Sequence, residues 1–142
     1  MSETNRTFMR FQWQAHRLLW NLSGGRLGRK VAGMPVLELV TIGRKSGEPR
    51  QILISYVEYE GSPALVGTNA GRNVDPAWML NLRADPHARA RWDGTWRDIT
   101  ARELTGSAHR QVWEEAVRVN SAYTGYAESL TRPIPIVLLT SR

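Results

Sequence analysis

The sequence predicts a mainly β domain that carries helices (α+β), in the form of a small β-barrel with helical covers. Five or six short segments rich in β-branched and aliphatic residues alternate with glycine- or proline-containing turns, and two segments with helical periodicity are inserted among them. The 142 residues suffice for one hydrophobic core, and the chain has no cysteine. That core would therefore form without disulfides or thiolate-bound metal.

The first predicted element is an amphipathic helix over residues 5–22, because apolar residues recur at spacings of three and four while arginines occupy the other side. Residues 1–30 contain six basic residues and one acidic residue, and so carry most of the formal net charge of +6. The helix either covers the barrel or lies on an anionic membrane surface. We divide the chain into this helix with its linker, residues 1–34, and a barrel domain, residues 35–142.

The first two strands of the barrel are predicted from their β-branched and aliphatic composition, and the third to fifth from the turns beside them. The six candidate segments are residues 36–42, 51–59, 64–68, 88–92, 95–104 and 134–140. The first two are expected to pair antiparallel, because only a short turn joins them. Asp93 and Gly94, between the fourth and fifth segments, are a strong signal for a two-residue hairpin turn.

Two helices are predicted between these strands. The first has Asp75 as its N-cap and Pro76 at its first helical position, and it ends before Asp85. It carries Trp78, which is read either as a core residue or as one wall of a pocket. The second helix covers residues 107–119, where apolar residues form a stripe at helical spacing.

The loop of residues 43–50, Gly-Arg-Lys-Ser-Gly-Glu-Pro-Arg, concentrates three cations, one hydroxyl and two glycines in one turn. Glycines allow backbone N–H groups to converge, the guanidinium groups of Arg44 and Arg50 bind oxyanions bidentately, and Lys45 adds a mobile charge. The loop therefore predicts an anion site. On spacing alone it also fits a solvated hairpin whose charges protect a sheet edge. It lacks the spacing and the following helix of a nucleotide-binding P-loop.

Other functional classes find little support in the sequence. The three histidines, His16, His87 and His109, lie far apart without carboxylates at metal-ligand spacing, so we expect no metal site. No hydrolase nucleophile motif and no nucleic-acid-binding module occur, and we expect no nucleic-acid partner. No apolar run is long enough to cross a bilayer and no signal peptide is evident. We expect a cytoplasmic protein, with association of residues 5–22 with the inner face of the cell membrane left open.

Five ordered segments together resemble the deazaflavin (coenzyme F420)-dependent nitroreductase family. They comprise the basic loop with the two residues before it, the small-residue loop Gly-Thr-Asn-Ala-Gly, a segment of the pattern P-x-W-x-x-N-L-x-A-x-P, a Tyr-x-x-Tyr pair and an Arg-Pro-Ile-Pro stretch. These segments are residues 41–50, 67–71, 75–86, 123–126 and 132–135. The match extends over residues 35–139, and the ordered combination is more specific than any single motif.

The resemblance implies a split β-barrel, similar to FMN-binding and pyridoxamine-oxidase-like barrels. Such a barrel would bind reduced coenzyme F420 and pass hydride to a quinone, nitroaromatic or enone acceptor. The phosphate and oligoglutamate tail would lie on the basic loop, and the ring system beside the small-residue loop. The implied cofactor-binding residues are Arg44, Lys45, Ser46, Arg50, Thr68, Asn69, Ala70, Gly71 and Trp78. The implied catalytic residues are Thr68, Tyr123 and Tyr126, with the tyrosines as candidate proton donors.

Two positions depart from the family pattern. Asn120 stands where nitro- and quinone-reducing members tend to carry a tyrosine, and Asn69 replaces a lysine. Two alternatives therefore stay open, a barrel that binds FMN or another flavin-like cofactor and a non-catalytic carrier of F420. The expected partners are a small-molecule electron acceptor and, through residues 5–22, an anionic membrane. The expected oligomeric state is a monomer or a homodimer.

Overall fold

In the computed structural model, which describes residues 30–31 and 34–142, the chain forms a curled antiparallel sheet with helices packed on both faces. The predicted mainly β fold with helical covers is confirmed. The predicted helix over residues 5–22 and most of the predicted linker lie outside the described residues. Within the described part of the chain, no helix is both long and apolar enough to cross a membrane.

Eight strands make up the sheet in the described residues. They are Lys30–Val31 (β1), Met34–Ile42 (β2), Pro49–Ser55 (β3), Val57–Tyr59 (β4), Ser62–Val66 (β5), His87–Trp92 (β6), Thr95–Glu103 (β7) and Ile136–Ser141 (β8). The order is β1-β2-β6-β7-β8-β5-β4, and the full length of β3 pairs with residues 36–42 of β2. Strand β7 pairs with β6 along its first part and with β8 along its second, and this shared pairing lets the sheet curl.

Three helices cover the sheet in the same part of the chain, Ala77–Ala84 (α1), Gly106–Val119 (α2) and Ala122–Glu128 (α3). The prediction of Asp75 as N-cap was wrong, because α1 starts at Ala77 after Pro76 and the Asp75 carboxylate instead pairs with two arginines. The sequence predicted two inserted helices and missed α3. That helix is short and contains Gly125, so its intrinsic helical signal is weak.

Two hydrophobic clusters hold these layers together. One lies between α1 and the sheet and includes Leu37, Leu65 and Met79, and the other lies under α2 and α3 and includes Val66 and Val112. Successive residues of β5 alternate between the two clusters. Both faces of that strand are therefore covered, which explains its continuous apolar sequence.

Two hairpins behave as the sequence predicts, and one predicted strand does not. Strands β2 and β3 pair antiparallel, and β6 and β7 turn at Asp93 and Gly94, which both have positive φ angles (52° and 75°). The segment 51–59, predicted as one strand, is divided at Tyr56, whose N–H donates to the carbonyl of Pro35. The chain changes partner there, because β3 pairs with β2 and β4 pairs with β5.

Candidate functional site

A cavity of about 360 Å³ lies between the β2–β3 loop and helix α1. We call it the basic cavity. Its walls are the end of β2, the loop, the start of β3 and one face of α1, namely Thr41, Gly43, Arg44, Lys45, Ser46, Arg50, Gln51, Ile52, Ala77, Trp78 and Asn81. The register that pairs Ile42 with Pro49 leaves the loop to project from the end of the hairpin over α1.

The loop is held in shape by its own hydrogen bonds. The N–H of Gly43 donates to the carbonyl of Glu48 at 2.8 Å, and Ser46 Oγ accepts from the Glu48 N–H and from Arg50 Nη2, each at 3.1 Å. A β-carbon on Gly43 would lie 2.6 Å from Ser46 Oγ. Glycine is therefore required there if the hydroxyl is to bind Arg50.

Asn81, on the inner face of α1, connects the loop to the protein core. Its side chain is only 4% exposed. Oδ1 accepts from both the backbone N–H and Nη1 of Arg44 at 3.1 Å, and Nδ2 donates to the buried hydroxyl of Thr41 at 3.1 Å. One buried amide thus fixes both the main chain and the guanidinium of Arg44.

The three cations of the loop line the basic cavity, and their charges are not neutralised by ion pairs within the described residues. Within residues 30–31 and 34–142, neither Arg44, Lys45 nor Arg50 lies at ion-pair distance from a carboxylate. By contrast, Arg83 and Arg118 are paired with carboxylates. Uncompensated positive charge around a concave surface attracts anionic ligands.

A second cavity, of about 250 Å³, lies along the other half of β3. We call it the tyrosine cavity. It is lined by Leu53, Ile54, Ser55, Val66, Thr68, Asn69, Ala70, Pro76, Trp78 and Tyr123. The half-buried Trp78 lines both cavities and also packs against the core. Its indole is a shared wall between the cationic and the aromatic regions.

The loop after β5 forms one side of the tyrosine cavity in an unusual backbone conformation. Asn69, Ala70 and Gly71 all have positive φ angles, of 51°, 54° and 83°. This conformation is disfavoured for residues with a β-carbon and is found where the surroundings enforce it. Thr68, which precedes them, is 4% exposed. A β-carbon on Gly71 would lie 2.8 Å from Ser129 Oγ, which donates to the Gly71 carbonyl at 2.9 Å.

Tyr123 is the buried titratable group of the tyrosine cavity. It is 8% exposed, and burial, with a smaller contribution from nearby Tyr126, raises the pKa of its phenol above the ordinary value. The phenol therefore stays protonated through the neutral range. Its ring makes edge-to-face contacts with Trp113 and Tyr126, at centroid distances of 6.0 and 5.8 Å.

The structure brings most of the predicted site residues to the two cavities. Those at the basic cavity are Arg44, Lys45, Ser46, Arg50 and Trp78, and those at the tyrosine cavity are Thr68, Asn69, Ala70, Trp78 and Tyr123. Gly71 and Tyr126 line neither cavity. They pack against each other behind the loop, where Tyr126 Cδ1 lies 3.5 Å from the position of a β-carbon on Gly71.

Sequence reasoning missed the buried pair of Asn81 and Thr41. A signal was available, because Asn81 interrupts the apolar face of α1 between Met79 and Leu82, and a polar residue on a buried face needs a partner. The structure also locates Asn120. Its Oδ1 accepts from the N–H of Ala122, the first residue of α3, at 3.1 Å, and Asn120 lines neither cavity.

The chain is similar in sequence to one protein family and to individual members of that family. A family model described as F420H(2)-dependent quinone reductase matches residues 12–141. An F420H(2)-dependent quinone reductase of Mycobacterium tuberculosis is 30% identical over 132 residues, which cover 89% of this chain and 88% of the relative. A protein described as a putative F420H(2)-dependent quinone reductase in Mycobacterium bovis gives the same values.

Solved structures agree with these sequence matches. An F420-H2-dependent reductase, FDR-A, superposes with a TM-score of 0.68 at 31% identity, over 75% of this chain and 94% of its own. A structure described as a domain-swapped dimer has a TM-score of 0.70 at 29% identity, over 98% of this chain and 100% of its own. A haem-binding protein from Mycobacterium smegmatis, at 16% identity and a TM-score of 0.59, over 78% of this chain and 48% of its own, shares the fold alone. The split-barrel prediction is confirmed.

Proposed function

The chain belongs to the F420H(2)-dependent quinone reductase family, and we propose that its basic cavity holds the cofactor tail while its tyrosine cavity receives the ring system and the acceptor. The protein is an oxidoreductase that uses coenzyme F420 and transfers hydride from the reduced deazaflavin to a quinone-like acceptor. One observation carries the assignment of the tail. Within the described residues, Arg44, Lys45 and Arg50 line one cavity and none has a carboxylate partner.

The donors of the basic cavity suit a phosphate and a chain of carboxylates. Two guanidinium groups offer paired N–H donors, and the lysine adds a charge that adjusts to the spacing of the ligand. Asn81 holds Arg44 and Ser46 holds Arg50, so these two side chains lose less conformational entropy when the ligand binds. Each charge-assisted hydrogen bond to the tail is worth about 1.5–3 kcal/mol.

The residues of the tyrosine cavity orient the reactants and exclude water. When bound, the reduced deazaflavin supplies the hydride. Trp78 and residues 68–70 of the loop line this cavity together, and the flat indole favours stacking of planar rings. The Tyr123 phenol, kept protonated by its raised pKa, holds a proton at its Oη for the acceptor oxygen. Tyr126 does not line the cavity and acts on Tyr123 through their ring contact.

The tail assignment is tested by the double variant Arg44→Ala, Lys45→Ala. Cofactor fluorescence measures the dissociation constant of oxidised F420 in purified full-length protein. We expect affinity to fall by about 3–6 kcal/mol, because two charge-assisted contacts are lost. The matched control is Arg89→Ala, Arg102→Ala, which removes two exposed cations that line neither cavity and should leave affinity unchanged at moderate salt.

The same titration, repeated with FMN, separates the two cofactors. Binding of F420 alone, weakened in the loop variant and retained in the control, supports the proposal. Equal loss in both double variants would mean that net charge, not this loop, attracts the cofactor. Tight binding of FMN with no binding of F420 would contradict the proposal.

The acceptor range is proposed from the shape of the tyrosine cavity. Its apolar walls, Leu53, Ile54 and Val66, accommodate a quinone ring, and nitroaromatic and enone acceptors present a similar planar outline. Steady-state assays with one member of each class, at saturating reduced F420, define the order of preference. Because Asn120 binds the N–H of Ala122 and does not line the cavity, Asn120→Tyr should not change that order. A new preference for nitroaromatics in this variant would show that position 120 contacts the acceptor.

A peripheral membrane contact and a homodimer complete the proposal. The basic residues within the segment 5–22 suit the anionic inner surface of the cell membrane, and Arg6→Gln, Arg10→Gln, Arg17→Gln should abolish sedimentation with anionic liposomes. Unchanged sedimentation would contradict this contact.

The domain-swapped relative at 29% identity supports a homodimer here as well, and light scattering at twice the mass of one chain is the expected result.

A further inference from the structure

Arg132 lies between α3 and β8 and extends beneath the loop that follows β5. Its side chain is 13% exposed. Nη1 donates to the carbonyl of Gly67, and Nη2 donates to the carbonyls of Thr68 and Arg72, each at 3.0 Å. One guanidinium therefore binds three main-chain carbonyls on both sides of the left-handed segment 69–71.

This segment needs an external restraint. Two of its three residues, Asn69 and Ala70, carry a β-carbon and still adopt positive φ angles. Such a backbone reverts to more favourable conformations unless neighbouring groups prevent it. The three carbonyl contacts of Arg132 provide that restraint, because the loop cannot change its φ angles without moving Thr68 or Arg72 off the guanidinium.

The same guanidinium also binds the segment immediately before helix α1. Arg132 Nη1 pairs with Asp75 Oδ1 at 3.0 Å, two residues before α1 begins, while Arg83 holds the other oxygen of Asp75 at 2.6 Å. Thr68 and Trp78, one on the loop and one on α1, both line the tyrosine cavity. Arg132 is thus the group that connects these two walls.

We propose that Arg132 is a positioning residue for hydride transfer, which sets the separation of the loop from α1 and so the width of the tyrosine cavity. This inference rests on the proposed function of that cavity. Lysine cannot replace Arg132, because its single ammonium lacks the planar fork that serves three carbonyls and a carboxylate together. Arg83 provides a matched control, since it shares Asp75 but makes no contact with the loop carbonyls.

The first test measures the loop without any turnover. The amides of Gly71 and Arg72 donate within the loop, to the carbonyls of Thr68 and Asn69, so their hydrogen exchange reports its integrity. In Arg132→Gln and in the milder Arg132→Lys, exchange of peptides spanning residues 67–72 should accelerate. In Arg83→Gln it should remain as in the native protein. Native exchange in both Arg132 variants would overturn the proposed restraint.

The second test separates positioning from general structural support. With reduced F420 and a water-soluble naphthoquinone, kcat of folded Arg132→Lys should fall at least about tenfold, because small misplacement of reactants is costly. The dissociation constant of F420 should change by a much smaller factor than kcat, since the tail site is separate from the loop even though the ring lies beside it. Arg83→Gln should retain native kcat.

Each remaining outcome has one meaning. Equal loss of thermal stability in the Arg132 and Arg83 variants, with native kcat in both, would reduce Arg132 to a structural residue and overturn the proposal. If the loop loosens in Arg132→Lys as expected while quinone turnover stays native, the restraint exists but the tyrosine cavity is not where transfer occurs. That result contradicts the proposed function of the cavity and leaves the restraint itself established.

Discussion

The substitution Asn81→Asp tests the link between the core and the basic loop with almost no change of shape. The native Oδ1 accepts both the N–H and Nη1 of Arg44 at 3.1 Å, and Nδ2 donates to Thr41 Oγ1. Aspartate keeps the oxygen that Arg44 binds and adds a negative charge in contact with its guanidinium. The Thr41 hydroxyl can rotate and donate to the new oxygen, so we expect the fold to be retained.

The expected effect on the cofactor follows from the loss of one free cation. A charge-assisted contact between Arg44 and the tail is worth about 1.5–3 kcal/mol, which corresponds to a rise of about 10- to 150-fold in the dissociation constant of F420. The dependence of that constant on salt should weaken as well, because one cation fewer is available to the tail. Fluorescence titrations at several salt concentrations measure both quantities.

Asn120→Asp is the matched control for this charge. Aspartate keeps a side-chain oxygen that can accept from the Ala122 N–H, so this contact should persist, and position 120 does not line the basic cavity. Affinity for F420 should be close to native. Native affinity and native salt dependence in folded Asn81→Asp would refute the view that Asn81 presents Arg44 to the tail.

Two further predictions concern the loop and the proton. Gly43→Ala should weaken F420 binding and lower thermal stability, because the new β-carbon would lie 2.6 Å from Ser46 Oγ. In the control Gly125→Ala in α3, the new β-carbon meets no atom within 4 Å, and the change should stabilise the fold by about 0.5–1 kcal/mol. Native F420 affinity in Gly43→Ala would count against the loop geometry. Tyr123→Phe should lower kcat with little effect on F420 affinity, and the native rate should stay flat until the pH exceeds about 10, because the phenol pKa is raised by burial. The same raised pKa contributes stability at neutral pH that is lost only as pH rises through it, and a native rate that declines below pH 9 would contradict this role.

Much of the fold follows from short-range sequence signals. The Asp93-Gly94 turn fixes the β6–β7 hairpin because both residues tolerate positive φ angles. Helix α3 escaped prediction because its stability comes from packing of Tyr123 against Trp113 and not from its own propensity. Local patterns identify elements with strong intrinsic preferences and miss those that tertiary contacts create.

The candidate site likewise has parts that local sequence patterns predict and parts that only tertiary contacts create. The clustering of Arg44, Lys45 and Arg50 is legible in the sequence because all three belong to one hairpin loop. The partners that shape the site are distant along the chain. Asn81 contacts a loop 37 residues earlier, and Arg132 contacts carbonyls 60 to 65 residues earlier. No local pattern encodes such pairs, although a polar residue on a buried helix face signals that a partner exists.

The most direct test of the central claim compares oxidised F420 with the same deazaflavin lacking its phosphate and oligoglutamate tail. If the basic loop holds the tail, intact F420 should bind at least about 100-fold more tightly at low salt, from two or more charge-assisted contacts. Added salt should then weaken the binding of intact F420 and leave the truncated compound nearly unaffected. Equal affinities, with equal salt dependence, would contradict the role of the basic cavity as the tail site.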